Sequence, residues 1–226
     1  MNYLLFANPD SGAIIFKRFK RFFPKAVITK IPERDNLKRK LYRILTGKMT
    51  IEDRAKLKGI VSYDYKSLTT DSLKKIIHEN KIEVGIITTF SWKIKKDFIE
   101  AFPKGIINFH PSLLPLHAGP NPFFWIIYDG DRKTATTCQM AGLEYDSGDI
   151  LLQKEFEVGE MDSKELFLKF ADDIAEIIPE VVSKFETYYN GRKKAGTPIH
   201  DPKDIVKESN DEQTRKRLER ANAFYK

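Results

Sequence analysis

Short apolar runs and longer amphipathic stretches take turns along this chain. Residues 3–8 open with an apolar run that reads as a buried strand. Asn8, Pro9, Asp10, Ser11 and Gly12 read as a turn, and residues 13–22 as an amphipathic helix. A short strand follows over 26–30. Residues 34–58 are charged and helical in part, and 60–63 are irregular or extended. Thr69 or Thr70 caps a helix running to residue 80. The Val- and Ile-rich run at 83–89 predicts a buried strand, 95–102 a helix and 105–109 another strand. Beyond it come a helix over 121–128, opened by Pro120 and Pro122, and strands over 134–141 and 150–158. A long helix, capped by Asp162 or Ser163, ends near residue 189 and is closed by Asn190 and Gly191. The last stretch, 192–226, is polar and poor in aliphatics, with a short helix expected over 211–224.

Strands alternating with helices predict an α/β domain with a parallel, doubly wound sheet. Such sheets bind ligands at the carboxyl ends of their strands. The expected division is a domain over 1–190 and a C-terminal extension over 191–226. The extension is expected to pack on the domain or on a partner subunit.

Composition narrows the classes. The chain has 226 residues, 41% of them hydrophobic, and a net charge of +7. No apolar run approaches the roughly 20 residues of a membrane span. The N-terminus carries no basic leader or cleavage site, so a cytoplasmic protein is expected. One cysteine, Cys138, excludes an internal disulfide framework and a multi-Cys zinc site, and four scattered His lack metal-ligand spacing. No metal is expected. Basic residues cluster early, at Lys17, Arg18, Lys20, Arg21, Lys38, Arg39, Lys40 and Arg43. They read first as a solvated surface and second as attraction for an anionic substrate. Aromatic interleaving typical of base stacking is thin, so nucleic acid is not the expected partner.

Chemistry concentrates in Asn108-Phe109-His110-Pro111-Ser112-Leu113-Leu114-Pro115. Asn108 and His110 are two residues apart at the end of a strand, which puts their side chains on one face. Downstream, Asp146-Ser147-Gly148 offers a carboxylate at a turn. An amide, an imidazole and a carboxylate are the parts for acyl transfer to an amine: an oxyanion donor, a proton acceptor and an orienting charge. A lone His is more often a satisfied core residue, but here three such groups arrive together.

These residues, with Gly119, resemble the signature of the folate-dependent formyltransferases, Asn-x-His-Pro-Ser-Leu-Leu-Pro followed by a glycine and an Asp-x-Gly. The resemblance implies a Rossmann-like formyltransferase fold with a parallel-rich sheet. It implies transfer of a formyl group from 10-formyltetrahydrofolate to a primary amine. Asn108 would donate to the oxyanion, His110 would act as general base or as the charged group behind it, and Asp146 would orient His110. Ser112 reads as a loop-forming hydroxyl, and Asp149 as a less attractive carboxylate than Asp146. The folate would lie against Phe90, Ser91, Trp92, Lys93 and Ile94, with Gly142, Leu143, Glu144 and Tyr145 as a second wall. Trp92 as mere core is the competing reading. Gln139 departs from the family's frequent His at that place, which puts one side contact in doubt.

The acceptor is read by elimination within the resemblance. A glycine-rich phosphate loop of the purine-pathway enzymes is missing after the first strand. The tail is too short for the barrel of the initiator-tRNA enzymes, and no regulatory domain of the hydrolases precedes the first strand. Gly119-Pro120-Asn121-Pro122-Phe123-Phe124-Trp125 resembles a segment of the sugar N-formyltransferases, with Gly119, Pro120, Asn121 and Phe124 toward the substrate. A proline-started helix with Phe124 in the core stands evenly against that. The resemblance implies a nucleotide-linked amino sugar, dTDP-4-amino-4,6-dideoxyglucose preferred, destined for surface polysaccharide such as O-antigen. It also implies a homodimer. Methionyl-tRNA or glycinamide ribonucleotide as acceptor, and a binding module that keeps the fold without turnover, are the alternatives.

Overall fold

The computed structural model describes residues 1–31, 43, 45–194 and 212–225. Lys38, Arg39 and Lys40, and much of the charged stretch expected to be partly helical, lie outside the described residues. So does the middle of the tail. Seven strands form one sheet in the order β3-β2-β1-β4-β5-β6-β7. They are β1 (Tyr3–Phe6), β2 (Ala26–Thr29), β3 (Val61–Asp64), β4 (Val84–Ile87), β5 (Ile106–His110), β6 (Lys133–Met140) and β7 (Ile150–Glu157). The pairs β1–β2, β1–β4, β2–β3 and β4–β5 are parallel, and β6–β7 is antiparallel. The expected α/β fold with a parallel-rich sheet is therefore present. The chain forms two compact units: Met1–Asn108 with Ile178–Ser183, and Phe109–Ile177 with Lys184–Lys226.

In the first unit every residue of β1, β2 and β4 is buried. Helical crossovers cover both faces of such strands, so they read as continuous apolar runs, not alternating ones. The first helix, α1 (Pro9–Phe16), differs from expectation. It begins inside the residues read as a turn and stops before Lys17. Pro9 suits the first helical position because its missing N–H has no partner there anyway. Gly12 is not a turn glycine: a Cβ on it would stand 2.6 Å from the Ala7 Cβ. Its bare backbone lets α1 lie against the end of β1.

The helix α2 (Ile51–Leu57) starts at a reciprocal cap, in which Thr50 and Asp53 each satisfy the other's backbone N–H. The extended alternative for the next stretch holds, as β3. Thr69, not Thr70, caps α3 (Thr70–Glu79), and α4 (Lys96–Glu100) precedes β5.

In the second unit, α5 (Pro122–Asp129) starts one residue inside the expected range. The register of β6 on β7 shifts between Cys138 and Gln139. A bulge of this kind re-aims the side chain beside it, here Gln139. Asp162 caps α6 (Ser163–Ser183) by exchanging bonds with Glu165. The long helix expected to reach residue 189 is broken at Lys184, where φ is −109° and ψ 28°, and resumes as α7 (Phe185–Asn190). The described part of the tail carries α8 (Glu212–Ala221). Ala221 joins a buried cluster with Ile126, Ile127, Val158 and Leu166, and Arg220 donates to the Gly159 and Met161 carbonyls. The tail helix thus packs on its own unit, one of the two arrangements expected. No helix among the described residues is long and apolar enough to cross a membrane.

Candidate active site

The end of β5 supplies the first two groups. Asn108 is half-buried and its strand neighbour is Ile87. His110 is 5% exposed. Its Nε2 lies 2.9 Å from the His117 carbonyl oxygen, and its Nδ1 lies 3.3 Å from Asp146 Oδ1. A carbonyl oxygen only accepts, so the form that makes the first bond carries a proton on Nε2. A neutral ring with its proton on Nε2 turns a lone pair to Asp146, so only the doubly protonated ring bonds at both nitrogens.

Asp146 is fixed from three sides. Its Oδ2 accepts from the Gly119 N–H at 2.8 Å, and its Oδ1 accepts from Gln139 Nε2 at 3.1 Å and faces His110. Its own backbone is left-handed, with φ 51°, a conformation uncommon for a residue with a Cβ. Gln139, read as the departure from the family pattern, touches Asp146 directly and is 1% exposed. Gly148 has a steric reason: a Cβ there would stand 1.6 Å from the Met140 carbonyl oxygen. The Asp-x-Gly turn can close on β6 only with glycine.

The loop over 111–119 is tied down by side chains. Ser112 Oγ donates to the Leu116 carbonyl at 2.6 Å, and the Ser112 carbonyl accepts from Thr137 at 2.6 Å. Gln153 donates to the Leu114 carbonyl at 3.0 Å, and the Leu114–Pro115 bond is cis. Ser112 is engaged within the loop, as its reading as a loop-forming hydroxyl expects. Asp149 faces away from this network, toward Arg192 and Lys194.

In the first unit, the loop after β4 is aromatic. Trp92 is half-buried and meets the Phe90 ring edge-on at 5.0 Å and the Tyr65 ring at 5.8 Å. Tyr65 donates its hydroxyl to the Lys93 carbonyl. Asn8 exchanges two hydrogen bonds with Ser91, one through each end of its amide. Ile94 is buried, while Ser91 and the Lys93 side chain are exposed. Trp92 is therefore neither plain core nor wholly open. In the second unit, Leu143 and Tyr145 are 53% and 59% exposed, Glu144 is exposed and Gly142 half-buried.

Asn121 is exposed and left-handed, between Pro120 and Pro122. Phe124 stacks on Tyr128, with ring centroids 5.7 Å apart, and packs against the Ile126 cluster. Half of the Phe124 reading, the core half, is thus visible. Sequence reasoning missed Asn8, Tyr65, His117 and Asp131. Asn8 alone carried a local signal, at the carboxyl end of β1. Cys138 is fully buried, and burial pushes its thiol far above its ordinary pKa, so it sits as a neutral core residue. Among the described residues no cluster of His, Cys, Asp and Glu could hold a metal ion.

A parallel-rich α/β sheet whose second unit holds an imidazole against a carboxylate carries the parts of an acid–base site. The formyl transferase family profile matches residues 24–182, and the chain belongs to that family. Among curated relatives, methionyl-tRNA formyltransferase of Borreliella burgdorferi (strain ZS7) is 31% identical over 122 residues, 54% of this chain and 39% of that protein. The methionyl-tRNA formyltransferase of Borrelia garinii subsp. bavariensis is 28% identical over 178 residues, 78% of this chain and 55% of that protein. The chain thus spans about half or less of the length of these relatives. Among solved structures, WlaRD, a sugar 3N-formyl transferase in the presence of dTDP and 5-N-formyl-THF, aligns with a TM-score of 0.67 at 17% identity. That alignment covers 98% of this chain and 78% of WlaRD. HypX from Aquifex aeolicus in complex with tetrahydrofolic acid aligns with a TM-score of 0.61 at 19% identity, over 99% of this chain and 34% of HypX. At these identities the structures speak for the fold.

Proposed function

We propose that this chain moves the formyl group of 10-formyltetrahydrofolate to the primary amine of a nucleotide-linked amino sugar. The preferred acceptor is dTDP-4-amino-4,6-dideoxyglucose, in cytoplasmic synthesis of surface polysaccharide. One observation carries the chemistry: His110 at the end of β5 is held by Asp146, which is itself fixed by Gly119 and Gln139. The amine attacks the formyl carbon and the carbonyl oxygen becomes an oxyanion, to which Asn108 donates. As the tetrahedral adduct collapses, the bond from formyl carbon to folate nitrogen breaks. His110 and Asp146 carry the proton from the attacking nitrogen to the leaving one. The products are the formamide and tetrahydrofolate, so the atoms balance without a redox partner or a metal.

The folate is assigned to Phe90, Ser91, Trp92, Lys93 and Ile94, with Gly142, Leu143, Glu144 and Tyr145 as further contacts. Half-buried Trp92, beside the Phe90 and Tyr65 rings, suits a flat heterocycle. Gly119, Pro120, Asn121 and Phe124 are assigned to the acceptor, on the left-handed, exposed Asn121 and its two prolines. A homodimer is part of this reading.

A second reading has a specific support: the curated relatives are methionyl-tRNA formyltransferases, so methionyl-tRNA is the competing acceptor. The experiment is tetrahydrofolate release from 10-formyltetrahydrofolate with dTDP-linked 3-amino and 4-amino sugars in parallel with methionyl-tRNA. Release that depends on one sugar supports the first reading. Release only with the tRNA replaces it. No release with either, from protein that binds folate, sinks both.

A further inference from the structure

The loop over 111–119 holds a second histidine–carboxylate pair that the assignments above leave unused. His117 is 5% exposed and left-handed, with φ 51°. Its Nε2 lies 2.6 Å from Asp131 Oδ2, just past the end of α5, and its Nδ1 lies 3.7 Å from Asp129 Oδ2. The same residue turns its backbone carbonyl to His110 Nε2 at 2.9 Å. Its ring and its carbonyl thus serve different partners.

We propose that His117 and Asp131 form a positioning pair for His110, locking the residue whose carbonyl oxygen orients the catalytic imidazole. The inference rests on the formyl-transfer reading. A left-handed non-glycine residue is strained and persists only where its surroundings over-determine it. Here the surroundings are visible. The carbonyls of Ser112, Leu114 and Leu116 are each bonded by a side chain, from Thr137, Gln153 and Ser112. The His117 carbonyl is given to His110, and its ring is clamped by Asp131. A charge-assisted bond of that length is among the stronger ones a side chain makes. Loosening the ring frees the peptide that follows it, and the Nε2 end of His110 loses its fixed acceptor. His117 touches no reacting atom and acts only through His110. The arrangement resembles in kind the partners that orient a metal-bound histidine, whose loss commonly costs about 10- to 100-fold.

Two variants test it. Asp131→Asn keeps the side-chain volume and removes the charge. His117→Gly keeps the left-handed backbone without steric cost and removes the clamp. Each is expected to lower kcat by about 10- to 100-fold while the KM for 10-formyltetrahydrofolate stays near the parent value. In ¹⁵N-histidine-labelled protein, each is expected to move the His110 Nε2 resonance away from its hydrogen-bonded position. A parent-like kcat together with an unmoved His110 resonance in Asp131→Asn overturns the proposal. A rise in KM with kcat unchanged also overturns it, because that marks a binding role. The resonance is read without any acceptor. If the parent itself transfers no formyl group, a His110 shift in the variants keeps the pair and rejects the functional reading alone.

Discussion

The loop after β4 and the loop after β5 follow two paired parallel strands, yet they are built in opposite ways. Residues 90–94 are held by ring edges: Phe90 against Phe6, Tyr65 and Trp92, with one amide exchange between Asn8 and Ser91. Residues 111–119 are held by hydrogen bonds to named carbonyls, by two histidines facing carboxylates and by a left-handed residue. The apolar burial behind such ring contacts is non-directional and tolerates adjustment. Charge-assisted bonds have narrow geometry and leave costly unpaired groups when one partner goes. On the proposed reading the first loop grips a flat ligand and the second holds a proton donor still.

The sharpest way to break that comparison is to attack the polar loop at its centre. His110→Asn and Asp146→Asn are each expected to lower kcat by about 100- to 10,000-fold, with folate affinity kept. Single-turnover formyl transfer together with folate titration checks this. Near-parent rates in both variants would mean that the polar loop is scaffold and nothing more.

A smaller effect is expected at the aromatic loop. Trp92→Ala removes one stacking face, and stacking on an aromatic ring is worth about 1–3 kcal/mol per base, a comparable flat heterocycle. The KM for 10-formyltetrahydrofolate is expected to rise by about tenfold, the equivalent of about 1.4 kcal/mol, with kcat little changed. Steady-state kinetics separates the two constants. A fall in kcat at unchanged KM would erase the contrast between the loops.

The two loops also differ in how openly the sequence declares them. The contact of His110 with Asp146 was legible because rare residues stand at a strand end and at a glycine turn. The strands β1, β2 and β4 were legible too, since burial on both faces leaves unbroken apolar runs. The start of α1 was not, because Asn8-Pro9-Asp10-Ser11-Gly12 has turn composition and Gly12 answers to a contact with Ala7. The break at Lys184 carries no local punctuation, although Pro179 lies within the same helix. Tyr65 meets Trp92 across 27 residues of chain, and His117 meets Asp131 across 14. No periodicity reports such pairings, so both supports of the loops escaped notice. The bulge that turns Gln139 onto Asp146 is likewise a property of paired strands, not of one.

The smallest effect tests whether ionic support extends past the Asp146 carboxylate to the far end of its own turn. Asp149 lies three residues beyond Asp146 and faces Lys194 and Arg192. The Lys194 hydrogen bond holds its carboxyl below the usual carboxylate range, burial opposes this, and Arg192 adds to the lowering. A carboxylate whose folded pKa is depressed stabilises the fold above its unfolded value, about 3.9, and loses that contribution as pH falls through the lower folded value. Urea unfolding at pH 6 and at pH 3 should therefore show a larger loss for the parent than for Asp149→Asn. The gap should be small and should narrow in high salt, because Lys194 is 89% exposed and such pairs are screened. The backbone bridge between Ile150 and Lys193 contains no titrating group and stays in both proteins. Equal losses in parent and variant would therefore assign the docking of this segment to that bridge. The ionic support of this turn would then stop at Asp146.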